Sequence, residues 1–238
     1  MKKENIESEC PGPLYVMKFG GTSVGGARPI ERVANLIERY SREGLRLVVV
    51  ASAIRGVTDS LVKICDNISS GNSAERDLSL EDIFYKHLEV INDLNLPGFL
   101  ADSLDNKVEQ LFHELQEETT NSLAMFGARK DKILSFGERF SVRMIEAKLL
   151  SRGILAEAVD GFNLIETDDH FGEAIPNIEK TTRFSKELLN PMLDEKRVPI
   201  VTGFIGATSS GRITTLGRGG SDYTDSILGR VLNAREVW

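Results

Sequence analysis

The chain has 238 residues, 41% hydrophobic and 27% charged, enough for one substantial core and an appended subdomain. Its formal net charge of −7 argues against a nucleic-acid partner, because phosphate neutralisation needs a dense basic face. No run approaches the roughly 18 apolar residues of a membrane span, and two cysteines, Cys10 and Cys65, are too few for a disulfide framework or a metal cluster and read as free thiols.

Residues 1–13 lack the apolar centre of a signal peptide, hold too many glutamates for a transit peptide, and read as a disordered lead-in to a cytoplasmic protein. Leu14 to Phe19 suits a buried strand running into Gly20 and Gly21. Ile30, Val33, Ala34, Ile37 and Tyr40 then keep helical spacing between Pro29 and Gly44. "LRLVVVAS", residues 45–52, is a β-branched run of the kind buried on both faces of a parallel sheet. An amphipathic helix is expected from Ser60 to Ile68.

Residues 72–132 hold almost no β-branched runs and read as a helical insertion, broken near 95–98, with Leu104, Val108, Leu111 and Leu115 as one apolar stripe. A helix from Gly137 to Ser151 presents Phe140, Ile145 and Leu149 inward. Strand texture returns at 154–160, 198–206 and 212–217, with helices expected at 177–195 and 222–232. "NAREVW" reads as the entry to a further buried strand, so the chain is expected to be part of a longer protein. Strands alternating with helices predict a three-layer α/β/α sandwich with a mainly parallel central sheet, spanning 14–238. Such sheets bind ligands at the carboxyl ends of their strands, where the glycine-rich loops fall.

Two loops combine glycine with a cation, as an anion site in an acidic protein requires. In "KFGGTS", Lys18 precedes the glycines, the reverse of a P-loop. Lys18, the N–H groups of Gly20 and Gly21, and the hydroxyls of Thr22 and Ser23 make either a phosphate site or a glycine turn beside a solvated lysine. In "GRGGSDYTDS", Gly217, Gly219 and Gly220 lead into a helix capped by Ser221 or Asp222, with Arg218 inside the loop. That arrangement favours a carboxylate or phosphate. An ordinary cap explains the aspartates but not Arg218.

Ser52 and Thr58 can face the same crevice, although Thr58 equally suits a cap for a helix beginning near Asp59. Glu138 falls in the first turn of its expected helix, where a glutamate commonly answers the dipole. His87, His113 and His170 share no metal-ligand spacing, and no metal site is expected. No general base stands out. A carboxylate acceptor, with a pKa of about 4, needs none at neutral pH, so a carboxyl kinase would rely on positioning and charge neutralisation by lysine, arginine, N–H groups and magnesium.

"KFGGTSVG", "SAIRGVTDSL", "LSFGERFS", "TDDHFGEA", "VPIVTGFIG" and "TTLGRGGSDYT", in that order, resemble the aspartate kinases of the amino-acid kinase superfamily. The resemblance implies ATP- and Mg2+-dependent phosphorylation of the L-aspartate β-carboxylate to 4-phospho-L-aspartate, the entry to lysine, threonine and methionine. It gives Lys18 the transferring phosphoryl group, assisted by Gly20, Gly21, Thr22, Ser23, Gly219 and Gly220. Asp222 orients Lys18, Arg218 clamps the α-carboxylate and Glu138 takes the ammonium. Ser52, Thr58, Phe204 and Ser221 line the amino-acid pocket, while His170 and Glu173 depart from the pattern and receive no role. A homo-oligomer is implied for the full-length protein. The nucleotide half and regulatory ACT domains that follow in the family would lie beyond Trp238. The alternatives are a catalytically silent piece that binds amino acid or partner, and a sister kinase acting on glutamate or acetylglutamate.

Overall fold

The computed structural model describes residues 12–120 and 127–238. Cys10, the first eleven residues of the expected tail and residues 121–126 of the expected insertion lie outside them. The chain runs β1 (Leu14–Phe19), α1 (Ala27–Arg42), β2 (Arg46–Ala51), α2 (Val57–Ser70), α3 (Ser73–Asp93), α4 (Gly98–Thr120) and α5 (Gly127–Leu150). It continues through β3 (Ala156–Val159), β4 (Glu166–Thr167), α6 (Ile178–Asp194), β5 (Val198–Thr202), β6 (Ile205–Thr208), β7 (Ile213–Thr215), α7 (Gly220–Val231) and β8 (Glu236–Val237).

Five strands form a parallel sheet in the order β3-β5-β2-β1-β8. Alternation along the central strands sets the layers, because successive side chains leave opposite faces. Tyr15, Met17, Leu47 and Val49 join the core beneath α1, α2 and α5. Leu14, Val16, Val48 and Val50 join the core beneath α6 and α7. The fold is therefore the expected α/β/α sandwich. Leu104, Val108, Leu111 and Leu115 are buried on α4 as their spacing predicted, and Cys65 is a buried free thiol on α2.

Four local expectations are corrected. The 198–206 run is two strands, because Phe204 adopts a left-handed φ of 70° and sends β6 into a second sheet, β4-β6-β7. The helix expected from Gly137 begins ten residues earlier, so Glu138 lies about three turns inside α5 and does not answer its dipole. On α7 the N-cap is Gly219, in left-handed conformation, rather than Ser221 or Asp222. β8, expected to be buried, is an exposed edge strand beside β1, with Trp238 packed on Tyr15 and Tyr40.

Candidate active site

A cavity of about 730 Å³ opens just past the carboxyl ends of β1, β2 and β5. β1 supplies Lys18 and the turn at Gly21, and β2 supplies Ser52 and the loop to Thr58. The β5–β6 turn supplies Phe204, and the β7–α7 loop supplies Arg218, Gly219, Gly220, Ser221 and Asp222. Glu138 enters from α5. These candidates, more than 200 residues apart at the extremes, share one crevice. Thr22 and Ser23 instead sit exposed on the turn before α1, outside the cavity lining, and the half-buried Gly20 is outside it too.

Lys18 Nζ forms an ion pair with Asp222 on the first turn of α7. It also comes within 3.5 Å of where a Cβ would stand on Gly20, so the ammonium lies over the glycine turn. Close approach of neighbouring loops explains the second glycine: a Cβ on Gly21 would stand 2.8 Å from the Ala53 carbonyl oxygen. The Arg55 amide donates to Gly21 O at 3.2 Å, joining the lysine loop to the β2 loop.

Glu138 is 3% exposed. Its Oε1 accepts the Ala53 amide at 3.1 Å, while Oε2 is buried with no partner among the described residues. Burial pushes its carboxyl up to about 8, against the opposing Ala53 hydrogen bond. A buried acceptor on a residue that lines a cavity is suited to a cationic donor, which would supply the missing bond and restore the ionised form. Arg218, which lines the same cavity, is exposed on its loop between two left-handed glycines, Gly217 and Gly219. The cavity thus brings together an exposed arginine, a buried carboxyl and a lysine paired with Asp222.

α5 organises more of this wall than its motif suggested. Ser141, one turn beyond Glu138, donates from Oγ to Ser52 O at 2.7 Å, and Gly137 lets the helix lie against Ala53. Asp131, two turns before Glu138, is 1% exposed and reaches both β7 and the loop after β4. Ser141 was present in "FGERFS", and its spacing from Glu138 was the available signal. Asp131 was hidden because the helix start was placed after it. Arg55 and Lys130 also line the cavity without having been singled out.

A model of the amino acid kinase family matches residues 13–238. Lysine-sensitive aspartokinase 3 of Escherichia coli is 34% identical over 94% of this chain and 48% of its own length. Chloroplastic aspartokinase 2 of Arabidopsis thaliana is 36% identical over 93% and 40%. A crystal structure of E. coli aspartokinase III in complex with aspartate and ADP superposes with a TM-score of 0.84 at 32% identity, over 94% of this chain and 48% of that one. The chain spans about half the length of the curated relatives it matches.

Proposed function

The chain belongs to the amino acid kinase family, and from that premise we propose that it carries the aspartate-binding and phosphoryl-positioning site of an aspartate kinase. The observation that carries this reading is Glu138: a buried carboxylate with one unpartnered oxygen, facing the same cavity as Arg218 and Lys18. Those three groups match the ammonium, the α-carboxylate and the reacting end of a small acidic amino acid. The aspartokinase relatives at 32–36% identity, one of them in complex with aspartate and ADP, support that choice of amino acid.

In this reading Glu138 accepts the substrate ammonium and Arg218 clamps the α-carboxylate as a charge-assisted pair. Ser52, Thr58, Phe204 and Ser221 shape the pocket around the short side chain. An ionised β-carboxylate oxygen then attacks the γ-phosphorus of ATP. The new O–P bond forms as the bond to the β,γ-bridging oxygen breaks, and ADP departs with that electron pair; no proton is removed. Lys18, held by Asp222, neutralises charge that develops on the transferring group, and the N–H groups of Gly20, Gly21, Gly219 and Gly220 assist. Thr22 and Ser23 extend the phosphate-binding loop in this proposal.

No group of three potential ligands among the described residues could enclose a metal. The exposed Asp222 carboxylate fits a shared role instead, since Mg2+ is commonly held by one or two carboxylates together with substrate phosphates and waters. When bound there, the ion would supply charge neutralisation between the phosphates. The reading also takes the protein to be cytoplasmic and, as part of a longer chain, a homo-oligomer; among the described residues no helix is long and apolar enough to cross a membrane.

Calorimetric titration of the chain with L-aspartate, alongside L-glutamate, tests the reading directly. Saturable binding that prefers aspartate is expected, with aspartyl hydroxamate formed from MgATP and hydroxylamine only by a version extended past Trp238. Absence of aspartate binding, or a preference for glutamate, would overturn it.

A further inference from the structure

Asp131 lies on α5 two turns before Glu138 and therefore on the same helix face. It lines the same cavity and is 1% exposed, yet its hydrogen bonds all leave its own helix. Oδ2 accepts the Gly172 amide and the Thr215 amide, each at 2.8 Å, and Oδ1 accepts the Thr215 hydroxyl at 3.1 Å. Burial lifts its carboxyl above the usual range, and the three donors pull the other way.

Thr215 ends β7, three residues before Arg218. It is fixed from both sides, because its carbonyl accepts the Ala174 amide at 2.9 Å while Asp131 holds its N–H and hydroxyl. The next residue, Leu216, donates its amide to Phe204 O at 2.9 Å. Gly217 follows in left-handed conformation against the Gly172 carbonyl, where a Cβ would stand 3.3 Å away. The segment bearing Arg218 is therefore moored to α5 through one carboxylate, and the mooring shares its helix with Glu138.

We propose that Asp131 is a positioning residue that sets the placement of Arg218 relative to Glu138, and so fixes how the two ends of an α-amino acid are gripped together. This rests on the functional reading above and deepens it. Asp131 does not touch the substrate in this scheme; it acts through Thr215 and the Gly217–Arg218 turn. A carboxylate serving only to tie a helix to a loop would give the same fold stability but no coupling to Arg218.

The test is a double-mutant cycle on aspartate binding, because groups acting through one another are non-additive and independent groups add. Asp131→Ala removes the acceptor of all three donors and is expected to weaken aspartate binding about ten-fold in the wild-type background. In an Arg218→Ala background the same change should do almost nothing. Thr215→Val, which removes only the hydroxyl donor, should show a smaller effect with the same dependence on Arg218, and it serves if Asp131→Ala fails to fold. Hydrogen exchange over residues 212–219, read without ligand, should speed up in both variants. Additive losses in the cycle, or unchanged exchange in folded variants, would overturn the proposal. Wild-type protein that fails to bind aspartate would overturn the functional reading instead, leaving the exchange result to decide the mooring.

Discussion

Glu138 and Ala53 meet through a single hydrogen bond of 3.1 Å, and that bond satisfies one carboxylate oxygen while leaving the other buried with no partner among the described residues. The consequence is a carboxyl whose folded pKa is raised to about 8 from 4.5 by burial. An acid raised on folding binds more protons in the folded state than in the unfolded one between those values. Its contribution to stability is therefore fully present below 4.5 and is lost as pH rises through about 8.

Two measurements follow from that carboxyl. Melting temperature of the ligand-free chain should fall between pH 4.5 and 8 more steeply than that of Glu138→Gln. Aspartate binding should instead strengthen over the upper part of that range, since the ammonium requires the ionised form, and binding at pH 7 should release a proton. Calorimetry in buffers of different ionisation enthalpy reads the proton; equal observed heats across those buffers would show that Glu138 is already ionised or does not face the ammonium.

Lys18 and Arg218 are expected to separate kinetically. In the proposed reading Lys18 faces the transferring phosphoryl group and makes its contact mainly as charge moves, so Lys18→Ala should lower kcat by at least about a hundred-fold with little change in aspartate KM. Arg218 would hold the α-carboxylate in ground and transition states alike, so Arg218→Ala should chiefly raise that KM. Steady-state kinetics of a version extended past Trp238, with aspartate varied at saturating MgATP, distinguishes them, and matching profiles would show the roles to be misassigned.

Phe204 carries a φ of 70°, unusual for a bulky side chain, and the surrounding bonds explain how it is kept there. Its amide donates to Thr224 Oγ1 at 3.0 Å, and that hydroxyl donates onward to Gly220 O at 2.9 Å. Thr224 is fully buried, so Thr224→Val keeps the shape but leaves the Phe204 amide without its acceptor, at a cost of about 1–3 kcal/mol. Thermal unfolding should move down by roughly 2–10 °C for a chain of this length. Aspartate affinity should fall as well, because the same strained residue shapes the pocket wall. An unchanged melting temperature would mean that Phe204 is held by packing alone.

The sheet's centre was legible because Leu14–Phe19 and Arg46–Ala51 are apolar on both faces, a pattern few other environments tolerate. The glycine loops were legible for a related reason: lysine or arginine beside clustered glycine has little use in an acidic chain except at an anion. The start of α5 was not. Its first turns bury Arg129 and Asp131, held by tertiary partners, and Ser135, bonded to the Lys132 carbonyl of its own helix, so the apolar period that marks a core helix is interrupted where the helix enters the site. The second sheet escaped for want of length, since β4 has two residues, and because the turn separating β5 from β6 places Phe204 where glycine or asparagine would have signalled it.

The two glycines of the first loop should differ sharply on substitution, although they are adjacent. A Cβ on Gly20 would meet only Lys18 Nζ, at 3.5 Å, the far end of a flexible side chain. A Cβ on Gly21 would stand 2.8 Å from Ala53 O and 3.2 Å from Arg55 N, both backbone, in the loop that also holds Glu138 through the Ala53 amide. Gly21→Ala must therefore push the lysine loop and the β2 loop apart, disturbing the phosphoryl end and the ammonium end together. It should weaken aspartate binding by about ten-fold or more and lower the melting temperature by several degrees. Gly20→Ala should leave both near wild type while reducing turnover through Lys18. Titration with aspartate and thermal unfolding of both variants, with a turnover assay of each in a version extended past Trp238, read the contrast. If Gly21→Ala binds aspartate as the wild type does, the two loops are not mechanically joined, and the ammonium receptor is set by α5 alone.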